Sequence, residues 1–419
     1  MAIRKIGIGK KHYDTMEKPW KTPWYIKALV SIILFYYKLT NGLKLKKIGI
    51  KGTKPPYLIL QNHTAFLDFA WAAQFIYPRF SGFVCSIEEF IGREWLLRTL
   101  GCIYKRKFTP DLNVVKHILY ELKHNKASVT IYPEARFSLA GINEEADLKT
   151  YARLIKLCKV PVVLGIGQGS FINSPQFAKH PYKKIPTRAT FKLLFTAEQV
   201  KDLSQDEIEK TLREEFVYDD FKYWQENGFK VKSKHRAKNL HKILYQCPHC
   251  KKEFSMNSSG NRLYCEECGH EWTLTESGFL QALNGETYFS HVPDWYRWER
   301  ENVKKQILAG DYKIDTDARL ERLVSSAKSF KKIGTVNFKH DENGFTLQGT
   351  LDNGEEFFFN RPVNTMYSCH IEYDYKKRGD AIDLADANET YFVFPNLYNH
   401  LTKIHFATEE LYKISQGNI

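Results

Sequence analysis

Between residues 55 and 200 short apolar runs alternate with segments of helical periodicity, and no other feature limits the possible folds as much. Residues 57–61, 82–85, 102–105, 129–132, 162–167 and 190–195 have the length and composition of strands. Residues 66–76, 88–100, 111–125 and 147–158 carry apolar side chains at helical spacing, and Pro110-Asp111 opens the third of these. Such alternation predicts an α/β fold with a mixed sheet flanked by helices. Residues 204–228 read as a charged helix ending at Gly228, followed by a basic linker at 230–238 and a further helix at 294–308. From about residue 330 the texture becomes alternating strands with turn signals at Asp341-Glu-Asn-Gly344, Asp352-Asn-Gly354 and Lys377-Arg-Gly379, closed by an amphipathic helix over 396–414. At 419 residues the chain is long enough for several units. They are expected as a basic arm at 1–54, an α/β domain at 55–229, a cysteine module at 240–275 and a helix plus β-rich domain at 290–419.

The first strand runs into Gln61-Asn-His63-Thr-Ala-Phe-Leu-Asp68. His63 is expected at the carboxyl edge of the sheet, where α/β folds place their sites. Five residues of ideal helix turn through about 500°, so His63 and Asp68 can meet only if His63 precedes the helix. A histidine held by a carboxylate is a general base at neutral pH: the imidazole takes a proton, and the carboxylate fixes its tautomer and stabilises the imidazolium. An attacking hydroxyl needs such a base. No G-x-S-x-G elbow is present, which disfavours a serine nucleophile and points to direct transfer.

Three more segments follow His63 in order. Gly101-Cys-Ile-Tyr-Lys-Arg-Lys107 is a strand ending in three cations. Tyr132-Pro-Glu-Ala-Arg-Phe-Ser138 follows the 129–132 strand, and Val160-Pro161-Val-Val163 opens the next. Together with Asn62, His63 and Asp68 in N-H-x4-D spacing, they resemble the four motifs of the glycerolipid acyltransferase family over about 55–200. The second motif matches in part, since strict spacing puts Lys107 where the family has arginine and Arg106 falls one residue early. Arg106 is favoured for bidentate phosphate binding and Lys107 is kept as the alternative. In the third motif Glu134 matches, Ala135 replaces a glycine, and Arg136 falls one place early. The resemblance implies that 55–229 is the acyltransferase domain. His63 would be the base and Asp68 its partner, with Asn62, Arg106, Lys107, Glu134 and Arg136 around the substrate. The donor would be acyl-CoA or acyl-carrier protein, the acceptor 1-acyl-glycerol 3-phosphate and the product phosphatidic acid. Another lysolipid, or glycerol 3-phosphate, is the alternative acceptor.

Cys247-Pro-His-Cys250 and Cys265-Glu-Glu-Cys268 are fourteen residues apart. Two C-x2-C knuckles at that distance point to a closed, structural zinc site of four thiolates, with Ser258-Ser-Gly-Asn261 as the tip of a ribbon hairpin. The other four cysteines, Cys85, Cys102, Cys158 and Cys369, lie in apolar stretches and suit a reducing cytoplasm.

Charge is concentrated at one end. Residues 1–54 hold thirteen Lys or Arg against Asp14 and Glu17, most of the net +14 of the whole chain. Inside this arm lies the ten-residue apolar run Ala28-Leu-Val-Ser-Ile-Ile-Leu-Phe-Tyr-Tyr37, preceded by Trp20, Trp24 and Tyr25 and bracketed by Lys27 and Lys38. It is too short to span a bilayer and has the flanks of an interfacial helix. An anionic membrane surface, met from its cytoplasmic face by a peripheral or monotopic protein, is the expected partner, alongside lysophospholipid and acyl donor. Nucleic acid is not expected. The contrasting reading is a non-catalytic scaffold that binds anionic lipid or nucleic acid.

Overall fold

The computed structural model describes residues 18–41, 44–178, 185–323 and 329–417. The expected arm therefore lies outside the described residues over 1–17. A seven-stranded mixed sheet forms the first layer. Its strands are β1 (Lys44–Ile48), β2 (Leu58–Gln61), β3 (Ser81–Ser86), β4 (Ile103–Lys105), β5 (Ser128–Ile131), β6 (Val162–Gln168) and β7 (Arg188–Phe195), in spatial order β1-β7-β6-β2-β5-β3-β4. All neighbours are parallel except β6 and β7. β2 and β5 are buried at every position, as the centre of a sheet covered on both faces requires. Their apolar runs carry no alternation for that reason. Helices Phe69–Ile76, Leu112–Tyr120 and Leu148–Cys158 provide the cover. Each of the last two starts where an aspartate caps free backbone N–H groups, Asp111 for Asn113 and Val114, and Asp147 for Thr150.

Three expectations are corrected. Lys44–Ile48, read as part of the basic arm, is an edge strand whose lysines keep the edge solvated. The expected helix over 88–100 is broken: a short 3-10 turn at Ile87–Phe90 leads to a helix at Glu94–Thr99, and Gly92 between them takes φ 70. The expected helix over 204–228 is two, Gln205–Glu215 and Asp220–Glu226, preceded by Ala197–Asp202, because Ser204 and Asp219 each cap a fresh start.

The cysteine module is a four-stranded antiparallel ribbon. The C-terminal part is a seven-stranded antiparallel sheet in spatial order Glu356–Pro362, Gly344–Thr350, Phe330–Asp341, Ile314–Leu323, Thr390–Pro395, Ala381–Ala385 and His370–Glu372. The helix Leu401–Ser415 packs beside it. These parts share one core. Phe171 and Trp224 of the α/β part, Trp272 of the ribbon, Trp295, and Phe406 of the last helix belong to a single buried cluster.

Buried charge reinforces the joint. The Arg136 guanidinium donates to Glu409 at 2.6 Å, to Ser368 Oγ at 2.9 Å and to Glu144. Arg300 meets the other Glu409 oxygen at 2.6 Å. Glu409 is thus clamped by arginines from two parts of the chain. Glu409→Ala leaves Arg136 and Arg300 without that carboxylate, and such a loss costs roughly 3–5 kcal/mol. A matching fall in the urea unfolding midpoint is the expected measurement.

Candidate active site and metal centre

β2 delivers the chain to the carboxyl edge of the sheet, and Asn62 fixes it there. Its side-chain amide donates to Gly167 O at 2.9 Å and accepts from Gly167 N at 2.7 Å, tying the exit of β2 to β6. Gln61 Nε2 donates to Asp68 O at 2.8 Å, closing the next seven residues into a loop. Within it, Asp68 Oδ2 accepts from Thr64 N at 2.6 Å and Ala65 N at 2.8 Å. His63 precedes the helix, as the geometry demands, and its Nδ1 lies 3.5 Å from Asp68 Oδ2.

That separation is within ion-pair range and beyond a good hydrogen bond. His63 Nδ1 and Asp68 Oδ1 are both buried without a hydrogen-bond partner. Catalytic hydrogen bonds are often long before substrate binds and shorten when charge develops. With Nδ1 turned to the carboxylate, Nε2 is the nitrogen left to move a proton. The imidazole is stacked on Tyr132 at 4.0 Å and 17° and tilted against Phe137 at 4.2 Å, with its side chain 19% exposed.

His63 lines an apolar cavity of about 400 Å³. Leu34, Phe66, Phe69, Phe83 and Leu97 are among its walls, and Leu34 comes from the helix Trp24–Asn41. That helix exposes Trp24, Leu29, Ile32, Phe35 and Leu39. Among the described residues no helix is long and apolar enough to cross a membrane.

The other predicted site residues are placed differently from one another. Glu134 is buried, off the cavity wall, and holds backbone. It accepts from Tyr218 OH at 2.7 and 2.9 Å, from Glu144 N at 3.2 Å and from His63 N at 3.4 Å. Burial pushes its carboxyl up to about 8, against the pull of Arg136 and Tyr218. Ala135 stands at φ 55, the left-handed region that favours glycine. That turn sends the Arg136 side chain inward to the pairs described above, so its guanidinium is not offered to a phosphate. Arg106 is likewise turned away: it donates to Ala387 O at 3.3 Å and Asn388 O at 2.7 Å. Arg106 lies just past the end of β4 at Lys105, and Lys107 stands in the turn that follows. Lys105 and Lys107 are the ones on the cavity. Lys107 donates to Asp383 at 3.0 Å and lies 3.6 Å from Glu88. Asn62, too, is spent on backbone.

Two cavity residues had no sequence signal. His370 and Glu372 come from the C-terminal sheet and reach the cavity only through its docking.

The four ribbon cysteines converge. All four Sγ atoms lie within 4.8 Å of one another, with Cys247–Cys268 at 3.8 Å and Cys250–Cys265 at 3.7 Å. Bonds of about 2.3 Å to a tetrahedral zinc place sulfurs about 3.8 Å apart, so these residues fit that ion. The two knuckles match each other: Lys251 N donates to Cys247 O at 3.0 Å with φ 64, and Gly269 N to Cys265 O at 2.9 Å with φ 71.

No protein-family model matches the chain, and no curated protein sequence matches it. Among solved structures it is similar to the 1-acyl-sn-glycerophosphate (LPA) acyltransferase PlsC from Thermotoga maritima. The likeness has 15% identity and a TM-score of 0.32, and covers 46% of this chain and 79% of that one. At that identity and score it carries no weight on substrate or mechanism.

Two outcomes are expected from this geometry. The Glu134 carboxyl holds its proton more tightly folded than unfolded. Its contribution to stability is therefore full below its ordinary value of 4.5 and lost as pH rises through about 8. Glu134→Gln should flatten the decline of the urea midpoint between pH 5 and 8. Cys250→Ser should abolish stoichiometric zinc measured by atomic absorption, and chelation of the wild type should lower its melting temperature.

Proposed function

We infer that the protein is an O-acyltransferase that moves a fatty acyl group from a thioester, acyl-CoA or acyl-carrier protein, to a lysolipid hydroxyl at a membrane surface. The observation that carries this reading is the His63 and Asp68 pair, 3.5 Å apart on the wall of an apolar cavity of about 400 Å³. His63 Nε2 takes the hydroxyl proton while the oxygen attacks the thioester carbonyl. Asp68 stabilises the imidazolium. The tetrahedral adduct then expels the thiolate, which recovers the proton from His63, and the C–S bond is exchanged for a C–O bond.

The exposed apolar face of the helix Trp24–Asn41 supports docking on lipid, and its lysine-rich surroundings favour an anionic surface on the cytoplasmic side. The helix would lie in the interface, leaving the lysolipid chain in the bilayer beside the cavity. Zinc in the four-cysteine site would be structural, stapling the ribbon into the shared core. The family resemblance makes 1-acyl-glycerol 3-phosphate the first acceptor to test. Arg106, Lys107 and Arg136 are all engaged by protein groups, so other lysolipids and glycerol 3-phosphate belong beside it.

Radiolabelled acyl-CoA incubated with the purified protein and a lysolipid panel should give a labelled two-chain product. His63→Ala should lower the rate by about 10²–10⁴-fold with an unchanged melting temperature. Wild-type turnover in that variant would overturn the assignment.

A further inference from the structure

The end of the cavity beyond His63 is built by both halves of the molecule. His370 and Glu372 stand on the last strand of the C-terminal sheet, and both line the same cavity as His63. Phe137 links them, its ring 4.2 Å from that of His63 and 6.3 Å from that of His370. His370 Nε2 lies 2.9 Å from Glu372 Oε1. Burial, with the charge of Lys107 adding to it, lowers the His370 imidazole below its ordinary value, so the ring is neutral. Burial by itself would raise Glu372, but the His370 hydrogen bond and Lys107 override it and hold the carboxyl below its usual range. A neutral imidazole donating from Nε2 keeps Nδ1 as an acceptor. The Glu372 side chain is 32% exposed.

The cation at this end is already matched. Lys107 is 3.0 Å from Asp383 and 3.6 Å from Glu88, and Glu372 adds a third carboxyl to its field. The other cations on the cavity wall are engaged by protein groups or lie on its exposed side. Arg93 is paired with Glu89 at 2.7 Å, Arg136 is spent on Glu144 and Glu409, Lys105 Nζ donates to Thr109 O at 2.6 Å, and Arg79 is solvent-exposed. An acceptor carrying a phosphate monoester would bring about two negative charges against an outnumbered lysine and an ionised carboxylate. Hydroxyl groups, in contrast, can donate to Glu372 and His370 Nδ1 and accept from Lys107.

We propose that His370 and Glu372 read the acceptor, and that the group they take is an uncharged, hydroxyl-rich headgroup in place of a phosphate monoester. This rests on the acyltransferase reading above and narrows its substrate class. It also makes the C-terminal sheet part of the active site.

The test compares a monoacylated glycosylglycerol with 1-acyl-glycerol 3-phosphate of the same chain length, using the full-length zinc-loaded protein and labelled acyl-CoA. The neutral acceptor should give kcat/KM at least tenfold higher. Glu372→Lys should move that ratio at least tenfold toward the phosphate monoester, and His370→Ala should raise KM for the neutral acceptor more than it lowers kcat. Melting temperatures are measured alongside, and Glu372→Gln replaces Glu372→Lys if the latter does not fold. Equilibrium binding of both lipids to His63→Ala protein gives the preference without turnover. Absence of acyl transfer to any acceptor removes the acyltransferase reading. Tighter binding or faster turnover of the phosphate monoester in the wild type, or a ratio unmoved in folded Glu372 variants, overturns the present inference.

Discussion

The Arg136 guanidinium is the point on which the molecule depends. It leaves the loop that carries Glu134 and Phe137, and it ends against carboxylates of Glu144 and of Glu409 in the last helix. One side of that loop holds the His63 backbone, since Ser138 N donates to His63 O at 2.9 Å and Glu134 accepts from His63 N. The other side holds the C-terminal domain. A single buried network thereby sets the histidine and the domain that closes the cavity in front of it. Buried charges are costly unless paired, so the pairing also fixes which arrangement of the two halves is allowed.

How much of this is legible in the sequence varies from residue to residue. The strands of the first sheet read directly, because short apolar runs between helical segments have few other interpretations. The His63 and Asp68 pair and the four cysteines read from spacing, since both depend on contacts within one loop or one hairpin. β1 did not, because Lys44-Leu-Lys-Lys-Ile48 looks like charge when only composition is weighed, and an edge strand tolerates charge. The long helices over 88–100 and 204–228 failed at Gly92 and at the caps Ser204 and Asp219, where local backbone chemistry beat periodicity. His370 and Glu372 could not be found at all, since nothing local marks a strand that will dock more than 300 residues from His63.

The basic residues show a further limit of motif reading. Arg106 and Arg136 have the right type but each falls one position from the place that spacing suggests, while Lys107 holds its place and is spent on Asp383. Just past the end of β4, Arg106 turns to the 387–388 backbone while Lys107, one residue on, faces the cavity. After Ala135 in a left-handed conformation, one position changes inside for outside. The same residues then serve as joints between domains: Arg106 to the 387–388 turn, Lys107 to Asp383, and Arg136 to Glu409. Cations that could hold a phosphate hold the second domain instead.

The sequence distance between Arg136 and Glu409 is 273 residues. At a synthesis rate of about 5–20 residues per second, the arginine waits roughly 14–55 s on the ribosome before Glu409 exists. During that interval the strands of the first sheet are completed, while the loop beside His63 still lacks its tie to the C-terminal helix. The nascent α/β part therefore emerges with its central cation matched by Glu144 alone, and the helix Leu401–Ser415, made long afterwards, supplies the second carboxylate that completes the setting of the histidine.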